Sequence, residues 1–455
     1  MVESGKRWWA LYVLCAGELM IVLDTTVVNV ALPSIRESLG FSEASLVWVV
    51  NAYMLTYGGF LLLGGRLGDY FGHRRMFLYG IALFTAASLV CGLAGSRELL
   101  VAARAVQGVG GAAVSAIALS LIIDLFTEEG ERAKAMGVYS FVCAAGGGLG
   151  VLASGVLTSA LSWHWVFLVN LPLGVAVYGL CRMLIAERAG AARGRLDYAG
   201  ALLVTAASTI AVYGILDGNP WLLGAAAALG ALFLFLQSRL AAPLMPLRFL
   251  RLRSLMSANV VGALWAASMF AWFFISALSM QQALGYSALQ IGLAFLPSNL
   301  IMAAFSLGLS AKIVLRFGNR LPLAAGLGLA AAGLALFAAA PAGQASFLFH
   351  ILPCMVLLGA GCGMALNPIL LVAMSEVAPS DSGLASGIVN TAFMMGGSLG
   401  LAALATLTES AGFRAAFILA TLIAAVAAVL SAALLRNDTP NERKQSWVSP
   451  SSTSK

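Results

Sequence analysis

Charge is what this 455-residue chain has least of: Asp, Glu, Lys and Arg make up 10% of it, against 61% hydrophobic residues. A water-soluble globular domain carries about 25% charged residues, so a soluble fold is excluded. Long polar segments are missing too. The gaps between apolar runs are too short for a soluble catalytic or nucleotide-binding domain. The Gly-x-x-x-x-Gly-Lys-Ser/Thr phosphate loop does not occur, which argues against ATP as the direct energy source. Cysteine in ligand spacing is also lacking. Cys15, Cys91, Cys143, Cys181, Cys354 and Cys362 all lie inside apolar runs, where they read as small packing residues rather than zinc ligands or disulfide partners. No loop gathers paired carboxylates or a His–Cys set, so a membrane-embedded enzyme or sensor is disfavoured. The net charge of +7 is spread over short gaps with no basic domain to grip phosphates, so nucleic acid is not an expected partner. No cofactor or metal is expected.

What the chain has is apolar stretches of about 20 residues, nearly end to end, each long enough to cross roughly 30 Å of hydrocarbon. In lipid every backbone N–H and C=O must bond internally, so such runs must be helices. The sequence predicts an all-α integral membrane protein with spans near 8–32, 46–65, 76–95, 98–123, 134–159, 163–184, 197–217, 220–238, 255–281, 289–311, 320–340, 346–374, 383–408 and 412–435. Lys6 and Arg7 precede the first run, which lacks a small-residue cleavage site and is expected to be a retained helix.

The positive-inside rule tests this count. With the N-terminus in the cytoplasm, about 22 of the 26 Lys and Arg residues fall in inside segments. Arg36, Arg97 and Arg414 fall outside, and Arg104 lies within a span. A missed or extra helix would invert that asymmetry downstream of the error. Both termini are therefore expected in the cytoplasm, with the protein in a cytoplasmic, inner membrane.

The chain also resembles itself at an offset of about 250 residues. Asp69-Tyr70-Phe71-Gly72-His73-Arg74 has a weak partner in Leu315-Arg316-Phe317-Gly318-Asn319-Arg320, and Gly108-Val109-Gly110 matches Gly359-Ala360-Gly361. The glycines Gly146 and Gly150 recur as Gly396 and Gly400. Parallel six-helix repeats place a substrate site between the halves, near the midplane. The expected organisation is an N-terminal six-helix bundle at 1–190, two inserted helices at 191–250, a C-terminal six-helix bundle at 251–436 and a disordered cytoplasmic tail at 437–455. Two-fold repeats with glycine faces that can slide argue against a passive channel.

Several polar residues stand out inside the spans. Arg104 lies deep in the fourth, where an arginine costs roughly 2.5–3.5 kcal/mol on insertion scales. Arg104, Gln107, Gly108 and Gly111 fall at helical i, i+3, i+4, i+7 spacing, so one face is polar and small. The arginine either makes a structural ion pair or faces a cavity. Asp24 in the first span either packs through hydrogen bonds or loads and releases protons beside Arg104. Glu18, about 240° around the same helix, is either a second carboxylate for a cationic substrate or a group that pairs near the cytoplasmic end. Asn29, Tyr57 and Gln107 join Glu18 as candidates for the substrate cavity. Trp265, Met269, Phe273, Phe393 and Met394 either line that cavity or pack against lipid and core. Gly146, Gly150 and Gly155 would let helices approach and slide. His350, near an outer helix end, reads as a capping or interface residue rather than a proton relay.

The segment Gly65-Arg66-Leu67-Gly68-Asp69-Tyr70-Phe71-Gly72-His73-Arg74-Arg75 resembles the loop signature of the major facilitator superfamily. Leu23-Asp24-Thr25-Thr26-Val27-Val28-Asn29-Val30-Ala31-Leu32-Pro33 looks like the first-helix signature of its 14-span drug:proton antiporter branch. Trp163-His164-Trp165-Val166-Phe167-Leu168-Val169-Asn170-Leu171-Pro172 is similar to that branch's sixth-span opening, with His164 where arginine is usual. The run from Gly146 to Gly155 resembles the antiporter motif but carries Val151 for the usual proline and Ser154 for a usual glycine.

The resemblance implies a major-facilitator fold of two six-helix bundles plus two inserted helices. It implies proton coupling through Asp24 and Arg104, and a latch of Arg66, Asp69 and Arg74 that breaks as the halves rock. The function implied is proton-coupled efflux of small amphipathic compounds, cationic or neutral, by a protein that is not an enzyme. Its partners would be the substrate, protons and the bilayer. It is expected to act as a monomer, with accessory efflux components left open. The altered fifth-span motif keeps a transporter of one specific metabolite, not bound to antiport, as the alternative.

Overall fold

A computed structural model describes residues 4–187, 196–240, 243–341, 346–378 and 381–435. The expected tail at 437–455 lies outside the described residues. Among those described, the chain is helical throughout, as a backbone surrounded by lipid must be.

The N-terminal part runs through α1 (Ser4–Leu39), α2 (Glu43–Phe71), α3 (His73–Gly92), α4 (Arg97–Leu125) and α5 (Glu129–Ala160). A one-turn α6 (Trp165–Leu168) then leads into α7 (Asn170–Leu184), so the expected 163–184 span is broken near its start. Two more helices follow, α8 (Tyr198–Leu216) and α9 (Pro220–Arg239). The C-terminal part comprises α10 (Arg253–Leu284), α11 (Ala288–Ala304), α12 (Ser310–Phe317), α13 (Arg320–Ala339), α14 (Leu352–Met374) and α15 (Ser382–Leu434). Side chains set several starts. Ser42 and Ser45 form a capping box at α2, as do Ser287 and Gln290 at α11, and Ser96 accepts from the Leu99 amide at α4. His350 Nδ1 accepts from the Ser346 amide, in keeping with its reading as a capping residue.

Twelve of these helices are long and apolar enough to cross a bilayer. Two departures reconcile them with fourteen crossings. The 53-residue α15 would be about 80 Å long if straight, far more than one crossing needs. It turns back at Gly412, whose φ of 83° and ψ of 170° only glycine adopts at low cost. The tenth crossing is built from α11, a π-helical turn at Phe305–Leu309 and α12, with Pro297 and a positive-φ Gly308 interrupting it.

The first and last six crossings pack by one scheme. α1 lies along α5 and α4, α2 on α4, and α3 on both α4 and α7. In the second half α10 lies along α15 and α14, α11 on α14, and α13 on both α14 and α15. The halves meet on two corresponding seams, α2 with α15 and α5 with α11. The first is tied by Asn51 Nδ2 donating to the Ser398 carbonyl at 3.1 Å and the Thr391 hydroxyl to the Gly58 carbonyl at 2.9 Å.

The face where α1 begins is called basal below, and the opposite one distal. At the distal face the halves touch again: Gln281 Nε2 donates to Glu37 at 3.2 Å, and the Leu289 amide donates to Ser159 Oγ at 3.1 Å. The inserted pair α8–α9 covers the α2/α15 seam, with Val212 packed among Leu55, Met395 and Ala402. Its basal end is held by buried Asp197, which accepts from the Gly200 amide at 2.7 Å, Gln237 Nε2 at 2.6 Å and the Leu244 amide at 3.2 Å.

Candidate transport site

Asp24 sits midway along α1 and is fully buried. One carboxylate oxygen is paired with Arg104 Nη1 from α4. The other accepts from Gln107 Nε2 at 2.7 Å and from Asn170 Nδ2, at the start of α7, at 3.0 Å. Arg104 is itself satisfied several times over. Its Nε donates to the Val49 carbonyl of α2 at 2.9 Å, and Nη1 also donates to Gln107 Oε1 at 2.7 Å. Its guanidinium lies 4.4 Å from the Tyr53 ring centre and 5.6 Å from that of Phe167. Gln107 extends the network to α3 by donating to Ser88 Oγ at 2.7 Å. One ion pair thus ties α1, α2, α3, α4 and α7 together. A buried pair whose remaining lone pairs and protons are hydrogen-bonded is the arrangement in which attraction offsets the cost of desolvation.

The second carboxylate is set differently. Glu18, six residues or about 1.7 turns earlier on α1, is 6% exposed. Tyr57 of α2, Ser115 of α4 and Tyr139 of α5 gather around it. Glu18 Oε2 and the Ser115 hydroxyl complete no hydrogen bond although both are buried. Tyr57 stacks on Tyr53 with ring centres 5.7 Å apart, so the two rings bridge the Glu18 cluster and the Arg104 pair.

The expected cavity residues therefore fall into separate groups. Gln107 belongs to the Asp24 network, and Tyr57 to the Glu18 cluster. Asn29 turns back on its own helix, donating to the Thr25 carbonyl at 3.1 Å. Trp265 and Phe393 meet in the C-terminal half at 5.2 Å between ring centres, with Phe270 5.8 Å from Phe393. Met269 packs half-buried against the same core.

The three glycines expected to slide divide as well. A side chain at Gly146 would strike Leu19 and Val22, and one at Gly150 would strike Thr26, all on α1 within the same half. Gly155 lies on the seam between halves, its missing Cβ 3.0 Å from the Ala288 carbonyl and 3.4 Å from Gly292 Cα. Ser154, where the resemblance leads one to expect glycine, donates to the Val27 carbonyl and pins α5 to α1.

At the basal face Arg66, Asp69 and Arg74 turn to different partners. Arg66 Nη2 donates to the Pro243 carbonyl at 2.5 Å, beside the inserted pair. Asp69 lies 3.1 Å from His73 Nε2, and His73 Nδ1 lies 3.1 Å from Asp124, so an imidazole bridges α2 and α4. Arg74 pairs with Glu187 at 3.0 Å and donates to the Arg182 carbonyl at 2.8 Å.

Ser88, Asn170 and Tyr53 were not singled out from the sequence. A lone Ser or Tyr in an apolar run has no periodic signature. Asn170 did carry one signal, an amide at the start of a span just before Leu171-Pro172.

Comparison with known proteins places these features in a family. The model for the Major Facilitator Superfamily matches residues 14–276 and 260–452. The puromycin resistance protein pur8 of Streptomyces alboniger is 40% identical over 416 residues, covering 89% of this chain and 82% of that protein. The cephamycin export protein CmcT of Amycolatopsis lactamdurans is 39% identical over 421 residues, covering 90% and 86%. The multidrug resistance protein Stp of Mycobacterium tuberculosis (strain CDC 1551 / Oshkosh) is 34% identical over 402 residues, covering 85% and 73%.

Proposed function

We propose that this chain, which belongs to the major facilitator superfamily, exports small amphipathic compounds, cationic or neutral, in exchange for protons. It is a multi-pass membrane transporter. The residues 1–190 and 251–436 are taken as the two units that rock, with 191–250 as an insert braced against one seam and the basal face in the cytoplasm. The observation that carries proton coupling is a buried carboxylate on α1, Glu18, set among neutral side chains, while the second carboxylate of that helix, Asp24, is balanced by Arg104. A carrier that trades protons for substrate needs an ionisable group inside the membrane whose charge can be matched or removed as the site changes sides. The C-terminal half answers with the neutral aromatic surface of Trp265, Phe270 and Phe393, which suits a poorly hydrated substrate.

Alternating access is supported by the construction of the seams. Gly155 and Gly292 bring α5 and α11 together with no side chain between them. Small residues there let one half roll on the other. Arg66, Asp69 and Arg74 hold the basal loop to its neighbours, and breaking those contacts would accompany the motion.

A second reading, a carrier dedicated to one natural product, is favoured by the names of two relatives, a puromycin resistance protein and a cephamycin export protein. The test is accumulation of a panel of lipophilic dyes and antibiotics by inverted membrane vesicles with an imposed proton gradient. Uptake of several unrelated compounds, abolished by a protonophore, is expected. Uptake of a single compound supports the dedicated carrier, uptake that ignores the protonophore removes proton coupling, and no uptake of any compound removes export.

A further inference from the structure

The two carboxylates of α1 differ in what they can do, and the difference runs opposite to what the resemblance implies. Asp24 meets Arg104, Gln107 and Asn170, all within one half of the molecule. Freeing it to take up a proton would strand a buried guanidinium and uncouple five helices from one another. Glu18 makes no ion pair among the described residues. It is more than nine-tenths buried, its Oε2 has no donor, and the Ser115 hydroxyl beside it is also unpartnered.

Among the described residues, the groups that face Glu18 are neutral: Cys15 on its own helix, Tyr57 on α2, Ser115 on α4, and Tyr139 and Cys143 on α5. The Asp24–Arg104 pair stands behind Tyr53 and is already balanced. From the other half, α10 has no charged residue beyond Arg253 at its basal end, α11 and α14 have none, and α15 has none before Glu409 near its distal turn. An ionised carboxylate enclosed this way, with no cation and an unfilled acceptor, is disfavoured by the loss of its hydration. Among the described residues no ion pair reaches Glu18, so its charge is removed by a proton or matched by a cation from outside.

We infer that Glu18, and not Asp24, is the exchange site of the cycle, holding a proton when empty and a monovalent organic cation when loaded. The inference rests on the proton-exchange reading above and names the substrate class of that site. The cation would sit against the Glu18 carboxylate with the Tyr57 and Tyr139 rings beside it, a setting in which aromatic faces favour an alkylated or delocalised positive charge. On loading, the proton leaves the carboxyl for water on the face to which the cavity is open. On the other face a proton returns as the cation departs, so the net charge of the site is the same in both forms. Asp24 is then a positioning residue that keeps α1 in register with α4 and α7.

The experiment is binding of tetraphenylphosphonium to purified protein in nanodiscs between pH 5.5 and 8.5, with proton release recorded in weakly buffered solution. Wild type, Glu18→Gln, Glu18→Asp and Asp24→Asn are compared, with thermal unfolding of each as the control for folding. Wild type is expected to release about one proton per cation bound, with affinity falling about tenfold per pH unit on the acid side. Glu18→Gln should bind at least tenfold more weakly, with no proton release and no pH dependence. Glu18→Asp should restore proton release at reduced affinity. Asp24→Asn should melt at a lower temperature yet, at a temperature where it stays folded, release the proton as wild type does. The inference is overturned if Glu18→Gln still releases a proton, or if folded Asp24→Asn abolishes release. It is equally overturned if wild type binds no cation at any pH. In that last case transport of neutral compounds in the vesicle assay would leave the export reading standing.

Discussion

The two halves share a packing scheme and differ in what they bury. Each has its first helix laid along its fourth and fifth, its second on its fourth, and its third on its fourth and sixth. Yet Glu18, Asp24 and Arg104 are all in the N-terminal half, whereas the polar groups buried in the membrane-spanning C-terminal helices are neutral, among them Asn259, Ser268, Ser276, Asn299 and Thr408. The shared scheme therefore owes nothing to charge, since one copy is built without it. Glycine does that work in both halves, but to different depths. A Cβ at Gly400 would lie 2.2 Å from Ala267 Cβ and 2.4 Å from its Cα, and one at Gly396 would lie 2.5 Å from Ala263 Cα. On the matching α1/α5 pair the obstruction at Gly146 is the end of the Leu19 side chain, at 2.9 Å. The α10/α15 pair is thus locked backbone to backbone, whereas the α1/α5 pair meets mainly through side chains, and the N-terminal half adds an ion pair to the backbone contacts that α4 makes at Gly108 and Gly110.

The sharpest way to break this comparison is to remove the ion pair. Asp24→Leu leaves Arg104 buried and unpaired and should cost about 3–5 kcal/mol, read as a fall in unfolding temperature in detergent. Asn259→Leu in the other half, which removes an unpartnered carbonyl oxygen, should be nearly neutral. Equal effects would erase the distinction between the halves. Next in size, Gly400→Ala should cost about 1–3 kcal/mol by overpacking, while Gly146→Ala should cost clearly less because Leu19 can move aside. The same melting measurement ranks them.

A smaller effect is expected on the seam between halves. Gly155→Ala should slow turnover several-fold, on the order of 1 kcal/mol of added barrier, with substrate binding at equilibrium little changed. Stopped-flow efflux set beside a binding isotherm separates the two. Smallest is Trp265→Leu, which removes the contact with Phe393. It should weaken binding of an aromatic substrate by about 0.5–1.5 kcal/mol and leave proton release per molecule bound unchanged. A change in that ratio would mean that the neutral half takes part in coupling.

Much of this was legible in the sequence, for a physical reason. The length of an apolar run is set by bilayer thickness, and the scatter of Lys and Arg reports the side each gap lies on, so fourteen crossings could be counted. The seamless join of the last two crossings could not, because Gly412 looks like any other glycine until its φ is known. Nor could the break at Gly308, which a single proline earlier in the helix only hints at. Within the site, Asp24, Arg104 and Gln107 stood out because charge and amide are costly in an apolar run. Their company was harder to see. Ser88 and Asn170 come from helices far away in sequence, and nothing in the spacing of one helix reports which face another turns towards it. The basal residues show the same limit. Arg66, Asp69 and Arg74 lie within nine positions, yet their partners Pro243, His73 and Glu187 belong to three different parts of the chain.

The most direct test of proton-coupled export is proton movement in proteoliposomes that hold only this protein and a pH gradient. A cationic dye is added, and internal pH and dye are followed together. Dye-triggered collapse of the gradient by wild type, and none by Glu18→Gln, is the predicted result. Dye movement with the gradient left intact would contradict it.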